Sequence, residues 1–198
     1  MCRKSFIIII NILLCFLFPE DVKKSSDSPH ISLLIHEELL NEFFNNIGEI
    51  KGEGTGASID YTWYLLNPRI EITAKDALFK AKIRAKTENF RITRDVNGTV
   101  DIRYNEETNQ IEVEIDTADV ILDVDIFGKN FVLAEIDVAK YFTKAMKIDG
   151  PKSVNNRVEY QLPNGKSKEM LIKTKSYNLV LIENAIQLIT SLEFSVVE

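Results

Sequence analysis

His30 and His36 are the only histidines in this sequence, and Cys2 and Cys15 its only cysteines. Nucleophilic catalysis of the Ser/His/Asp or Cys/His kind needs a base beside the nucleophile. His30 falls in a polar stretch and His36 at the start of a helical pattern, and no G-x-S-x-G elbow accompanies either. With both cysteines in the first 15 residues, the rest of the chain has no thiol for catalysis, a disulfide or a cysteine zinc site. Paired carboxylates are the remaining route to acid–base chemistry, and Asp60, Glu71, Asp76 and Glu135 are the candidates. Among 30 acidic residues such pairs arise by chance, and no spacing singles one out. A calcium site would draw on Glu112, Glu114, Asp116, Asp123 and Asp125. The D-x-D-x-D-G loop is missing, and carboxylates alternating with apolar residues on a strand point along a line, not around an ion. The segment GEGTG at 52–56 suggests a phosphate cradle, but G-x-G-x-x-G and G-K-[ST] spacing are absent and Glu49 and Glu53 repel anions. A flexible loop or the mouth of a groove is the expectation for 48–58. No enzyme is expected, and neither a cofactor nor a metal is implied.

Composition agrees. The 198 residues are 45% apolar and 27% charged, which suits one globular domain and excludes a disordered chain. The net charge of −6 argues against a nucleic-acid partner met by a broad basic face.

The N-terminus has the pattern of an export signal. Arg3 and Lys4 precede an apolar run from Phe6 to Phe18, ended by Pro19-Glu20-Asp21. Thirteen helical residues are too short for the roughly 30 Å core of a bilayer. Residues 1–24 therefore read as a signal peptide or lipoprotein signal, and 25–30 as a polar tether. Ser26-Asp27-Ser28 is the nearest small-x-small cleavage pattern, and Cys15, preceded by Leu14, offers a lipidation point. Loss of residues 1–24 would remove four basic and two acidic residues and leave a net charge of −8. The localisation expected is exported, either periplasmic or anchored to the cell envelope.

Residues 31–198 are expected to form one domain. Ile31–Ile35 suggests a strand. A helix follows over 36–47, with Leu39, Leu40, Phe43, Phe44 and Ile47 on one stripe. Beyond Ala57 the period becomes two: Ile59, Tyr61, Trp63 and Leu65, then Ile70 and Ile72, then Ala77, Phe79, Ala81, Ile83 and Ala85. Phase flips near Glu88 and Thr117 suggest bulges and bent strands. Asp95-Val96-Asn97-Gly98 suggests a hairpin turn, which also explains the Asn97-Gly98-Thr99 sequon without a glycan. Ala118, Val120, Leu122, Val124 and Ile126 share a face, and 138–147 suggests a second short helix with Val138, Phe142, Ala145 and Met146 inward. Strand pairs follow to the end of the chain, around Pro163-Asn164-Gly165-Lys166 and Glu183-Asn184. The basic row Lys80, Lys82, Arg84 and Lys86 and the acidic group Glu112, Glu114, Asp116, Asp123 and Asp125 suggest a solvated sheet face with paired charges.

An export signal, then the strand and amphipathic helix ISLLIHEELLNEFF, then long amphipathic antiparallel strands with a late short helix, resembles the BPI-like, tubular lipid-binding superfamily. It is similar in particular to small YceB-like envelope lipoproteins. The resemblance covers 31–198 and implies an α+β fold: a long curved antiparallel sheet wrapped around an N-terminal amphipathic helix, with a second short helix. It also implies binding or transfer of a lipid or other apolar molecule. The lining candidates are Leu40, Phe44, Trp63, Phe79, Ile83 and Val120. The expected function is thus an exported, non-enzymatic domain binding an apolar ligand between sheet and helix, with a membrane surface reached through the N-terminal anchor. The alternative is an envelope protein–protein interaction or structural module whose core is fully packed.

Overall fold

The computed structural model describes residues 30–197, apart from 57 and 127. The signal, the lipidation point and the tether as far as residue 29 lie outside the described residues.

The chain runs β1 (Ile31–His36), α1 (Glu37–Ile47), β2 (Ile50–Gly56), β3 (Ile59–Ile72), β4 (Ala77–Lys86), β5 (Arg91–Asn105) and β6 (Gln110–Thr117). It continues through β7 (Asp119–Ile126), β8 (Lys129–Asp137), a 3-10 turn (Ala139–Phe142), β9 (Met146–Asp149), β10 (Asn155–Gln161), β11 (Ser167–Ile182) and β12 (Ala185–Val197). All strand pairs are antiparallel. They form a six-stranded sheet β2-β3-β4-β5-β6-β9, a four-stranded sheet β1-β12-β11-β10 and the β7-β8 hairpin.

The described fold is nearly all β, with curled, half-barrel sheets. It is not the α+β sheet wrapped around an N-terminal helix that the resemblance implied. The 11 residues of α1 lie mainly against β3 and bury only Leu40 and Phe44. Leu39 is 54% exposed, and Phe43 and Ile47 are exposed beside it. Half of the apolar stripe thus never enters the core. The second helix is also absent: 138–147 is divided between the 3-10 turn and β9, where Met146 and Lys147 pair with Val113 and Glu112 of β6.

Two further expectations change for identifiable reasons. The glycine-rich segment is strand β2. Gly52 and Gly54 stand opposite Trp63 and Tyr61, and a Cβ on Gly52 would come 2.6 Å from the indole. The missing side chains let the two aromatic rings lie flat across the neighbouring strand. The second change concerns Asn97-Gly98, which lies inside β5, paired with Lys80 and Phe79, not in a turn. The β4–β5 connection is instead Thr87–Phe90, where Thr87 Oγ1 accepts the N–H groups of Asn89 and Phe90 at 3.2 and 3.1 Å. That hydroxyl supplies the turn without glycine. Gly98 is needed for another reason: the Thr117 backbone and the Ala118 methyl group lie against it, and a Cβ would meet the Thr117 carbonyl. The sequon is therefore not explained by a turn.

One core joins the sheets. Phe79, Ile83 and Ala85 of β4 are fully buried and belong to the same cluster as Val120 and Leu122 of β7, Leu133 of β8, and Ile186 and Leu188 of β12. The small inward residues Ala81 and Ala85 belong to this same buried cluster. Leu40→Ala is expected to cost about 2–5 kcal/mol, as large-to-small core substitutions do. Leu39→Ala, one residue earlier on the exposed side, should stay within about 0.5 kcal/mol. Urea denaturation of the two variants checks this; equal losses would mean that the helix is enclosed after all.

Candidate functional site

An apolar concavity lies where α1 leaves the sheet. β2 covers β3 only from Ile59 to Leu65. Beyond the irregularity at Leu66/Arg69, β3 pairs with β4 alone and has an open edge. Helix α1 fills that edge with side chains. Asn41 Nδ2 donates to the Ile70 carbonyl (3.0 Å) and Asn41 Oδ1 accepts the Ile70 N–H (2.8 Å). Glu37 Oε2 accepts the N–H of Ile72 at 2.8 Å, and Asn184 N donates to the Ile72 carbonyl at 2.9 Å. These bonds fix how far the helix stands off the sheet, and a groove of about 530 Å³ opens beside it.

Phe43 and Ile47 of α1 form one wall, and Val113 and Ile115 of β6 with Met146 of β9 form the other. The 3-10 turn lies over the inner end. There Phe142 is 5.6 Å from Phe44 and 5.7 Å from Phe79, with Phe44 and Phe79 5.9 Å apart, all between ring centroids. Such tilted and edge-on pairs add to the burial they accompany. Tyr141 packs on Trp63 at 5.2 Å, which ties the turn to β3. The mouth is polar. Lys51 lies 3.6 Å from Glu49, Thr143 brings a hydroxyl, and Lys144 has no carboxylate within ion-pair distance among the described residues.

Of the six lining candidates, Phe44 lines the groove. Phe79 and Trp63 stand one layer behind, touching Phe142 and Tyr141. Leu40, Ile83 and Val120 are buried in the core and do not border the groove. Phe43, Ile47, Tyr141 and Phe142 are the residues that sequence reasoning left out of the site. The signal for the first two was present, since the stripe on α1 is wider than one helix–sheet contact uses.

The outer faces carry the charge. Lys80 pairs with Glu71, and Lys82 lies 3.5 Å from Asp95, so the first two residues of the basic row find partners on β3 and β5. The acidic row has others. Glu112 lies between Lys147 of β9 (3.2 Å) and Arg103 of β5 (2.9 Å). Hydrogen bonds from Lys147 and Arg103 hold its carboxyl below the ordinary carboxylate range. In the same way Arg94, and then Asn130, hold Asp123 low. Burial pushes the Tyr104 phenol up to about 12, where it donates to Asn109 at 2.7 Å and packs on Tyr177. None of these groups lines the groove. Among the lining residues there is no histidine or cysteine, and the single carboxylate, Glu49, faces Lys51. The arrangement can enclose an apolar body and meet an anion at its mouth.

No protein-family model matches this chain, and neither the curated proteins nor the solved structures compared with it yield a match.

The Glu112 bridge holds β9, and with it Met146, against β6. Because the folded-state pKa is depressed, its stabilisation is present above the ordinary carboxylate pKa and is lost as pH falls through the lowered value. Glu112→Gln should therefore lower the melting temperature by a few degrees near about pH 7. The gap to the parent protein should close near about pH 2. A gap that persists in acid would show that the carboxylate's charge is not what holds β9.

Proposed function

We propose that this protein is a non-enzymatic binder of an apolar or amphipathic ligand, with lipid the leading class, held in the groove between α1, β6, β9 and the 3-10 turn. The N-terminal sequence pattern supports an exported location at the cell envelope. The observation that carries the proposal is the groove itself: about 530 Å³, open to solvent, walled by Phe43, Ile47, Val113, Ile115 and Met146 and closed by Phe44 and Phe142, which pack on Phe79 behind them. That volume falls in the range of small-molecule sites, about 300–1,000 Å³. Burial of alkyl surface at about 25 cal/mol per Å² supplies the driving force. Specificity comes from the mouth. A ligand with an anionic or hydroxylated head would set its chain against Phe44 and Phe142 and its head near Lys144 and Thr143. The exposed half of the helical stripe supports this reading as well. Phe43 and Ile47 contribute little to the core and are accounted for as a binding wall.

Native mass spectrometry of the purified chain, followed by solvent extraction, is the direct test. A co-purified mass that extracts as lipid is the expected result. Titration with a fluorescent fatty acid gives the second readout. Ile115→Trp fills the groove and should weaken uptake at least tenfold, about 1.4 kcal/mol, while the fold is retained. Lys144→Glu should weaken an anionic probe several-fold and leave its neutral alcohol analogue unchanged. A clean apo mass with no uptake of added fatty acid or phospholipid would sink the proposal.

A further inference from the structure

The β11–β12 hairpin has one apolar face with two fates. At the inner end it is made by Ile186, Leu188 and Thr190 of β12, all buried, and by Tyr177, Leu179 and Leu181 of β11, packed on the core. Residues two apart on a strand share a face. On β12 the same face therefore runs on through Leu192, Phe194 and Val196. The irregularity between Thr174 and Ser176 shifts β11 by one residue, so its face continues through Thr174, Ile172 and Met170. β10 adds Val158, opposite Met170, and Tyr160, opposite Lys168. Among the described residues nothing covers this outer stretch: Phe194 is 54% exposed, Val196 50% and Val158 46%. It is a sheet face built like a core face and left bare.

Charge says what it meets. Between Lys152 and Lys175 there are six basic and two acidic residues, in a chain of net charge −6. By register, Glu159, Glu169 and Glu193 all fall on the opposite face, where Glu169 pairs with Arg157 at 3.1 Å. Among the described residues the apolar face carries no carboxylate. Lys168 is at its tip, and Lys166 is in the adjoining turn. Two copies meeting through this face would offer each other's lysines no carboxylate from its described residues. An anionic bilayer accepts both the apolar side chains and the lysines.

The path of the chain agrees. His30 donates its backbone N–H to the Thr190 carbonyl (3.2 Å), its Nδ1 accepts the Leu192 N–H (3.0 Å), and its ring lies 5.8 Å from that of Phe194. The apolar stretch from Phe6 to Phe18 is thus joined, through a short polar segment, to the root of this same face.

We infer that the outer face of β10, β11 and β12 is a docking surface for an anionic lipid bilayer. Val158, Phe194 and Val196 enter the interfacial layer, and Lys166 and Lys168 meet lipid phosphates. This surface is separate from the groove and does not depend on its occupancy.

The test uses the full chain with Cys2→Ser and Cys15→Ser, labelled with a polarity-sensitive nitrobenzoxadiazole group at Val196→Cys or, as the opposite-face control, at Ser195→Cys. The N-terminal stretch acts on both labels alike, so their difference reads the face. With phosphatidylglycerol–phosphatidylcholine vesicles, the label at 196 should brighten several-fold and be quenched by spin-labelled lipid. The label at 195 should change little. Adding Lys166→Glu and Lys168→Glu should raise the half-maximal vesicle concentration about tenfold. Equal responses at 195 and 196, or a response at 196 that ignores the lysine changes, would overturn the inference. So would a response at 196 that needs no vesicles and grows with protein concentration, which would make a second copy the occupant.

Discussion

The second half of β3 has a strand partner on one side only, and the way its other edge is satisfied decides the shape of the site. A strand edge presents N–H and C=O groups that cannot stay unpaired against a core. Extending β2 would have satisfied them, but β2 pairs no further than Leu65. The Asn41 amide and the Glu37 carboxylate take the missing strand's place at Ile70 and Ile72. An amide can both donate and accept, so one side chain imitates one residue of a strand. The helix is thereby held by its polar residues at the sheet's edge while Leu40 and Phe44 point inward. Leu39, Phe43 and Ile47 are left on the far side. A helix packed by its apolar stripe alone would have turned those residues into the core and left no groove.

The other wall depends on the curl of the long strands. β5 remains a strand for 15 residues while passing under the Thr117–Ala118 crossing, which only a glycine at 98 accommodates. That crossing leads into β7 and β8, whose Leu122 and Leu133 join the buried cluster that includes the small residues of β4. It also leaves β6 to be paired by the short β9, held in place by the Lys147–Glu112–Arg103 bridge. The groove is thus bounded by the two places where the six-stranded sheet runs out of strand partners: the open edge of β3 and the short pairing of β6.

Much of this was legible in order but not in three dimensions. Alternation over Ala77–Lys86 and Gln110–Thr117, and the helix over 37–47, follow from apolar periodicity, because one buried face imposes it. The turns at Asn109 and Asn184 carry the positive φ expected of asparagine in a tight turn. Where the reading failed, a residue type had two uses. The glycines of 52–56 suggested a loop and serve instead as space for Trp63 and Tyr61. Asn97-Gly98 suggested a turn and serves as clearance for another strand. The segment 138–147 has helical spacing because Phe142 and Met146 both face the groove, from a 3-10 turn and a strand. The enclosed helix failed for a similar reason: a wide stripe signals apolar contact without saying that the protein itself provides all of it. Of the site, Phe44 was legible as an apolar anchor. The role of Asn41 was not, since a polar residue on a helix looks the same whether it meets water or a sheet edge.

The bare apolar residues need a physical reason beyond folding. Full burial of a large apolar side chain is worth about 1.5–3 kcal/mol, so a half-exposed Phe194, Val196 or Val158 forgoes about 1 kcal/mol each. Edge and surface strands normally carry charge at such positions to discourage unwanted pairing. Here the opposite face of the same strands does so, with Arg157, Glu169, Lys173 and Glu193. Composition alone therefore does not account for the ribbon, because Val158, Phe194 and Val196 fall on one face and Glu159, Glu169 and Glu193 on the other. The same contrast holds on α1, between Glu38 and Glu42 on one side and Leu39, Phe43 and Ile47 on the other. Both bare surfaces continue a face that is buried elsewhere on the same element: β12 from Leu188 outward, α1 from Leu40 and Phe44 around its axis. An element built in this way is anchored by its buried part and presents the rest at a fixed angle, so that what lands on it meets a preorganised surface and loses little entropy in ordering it.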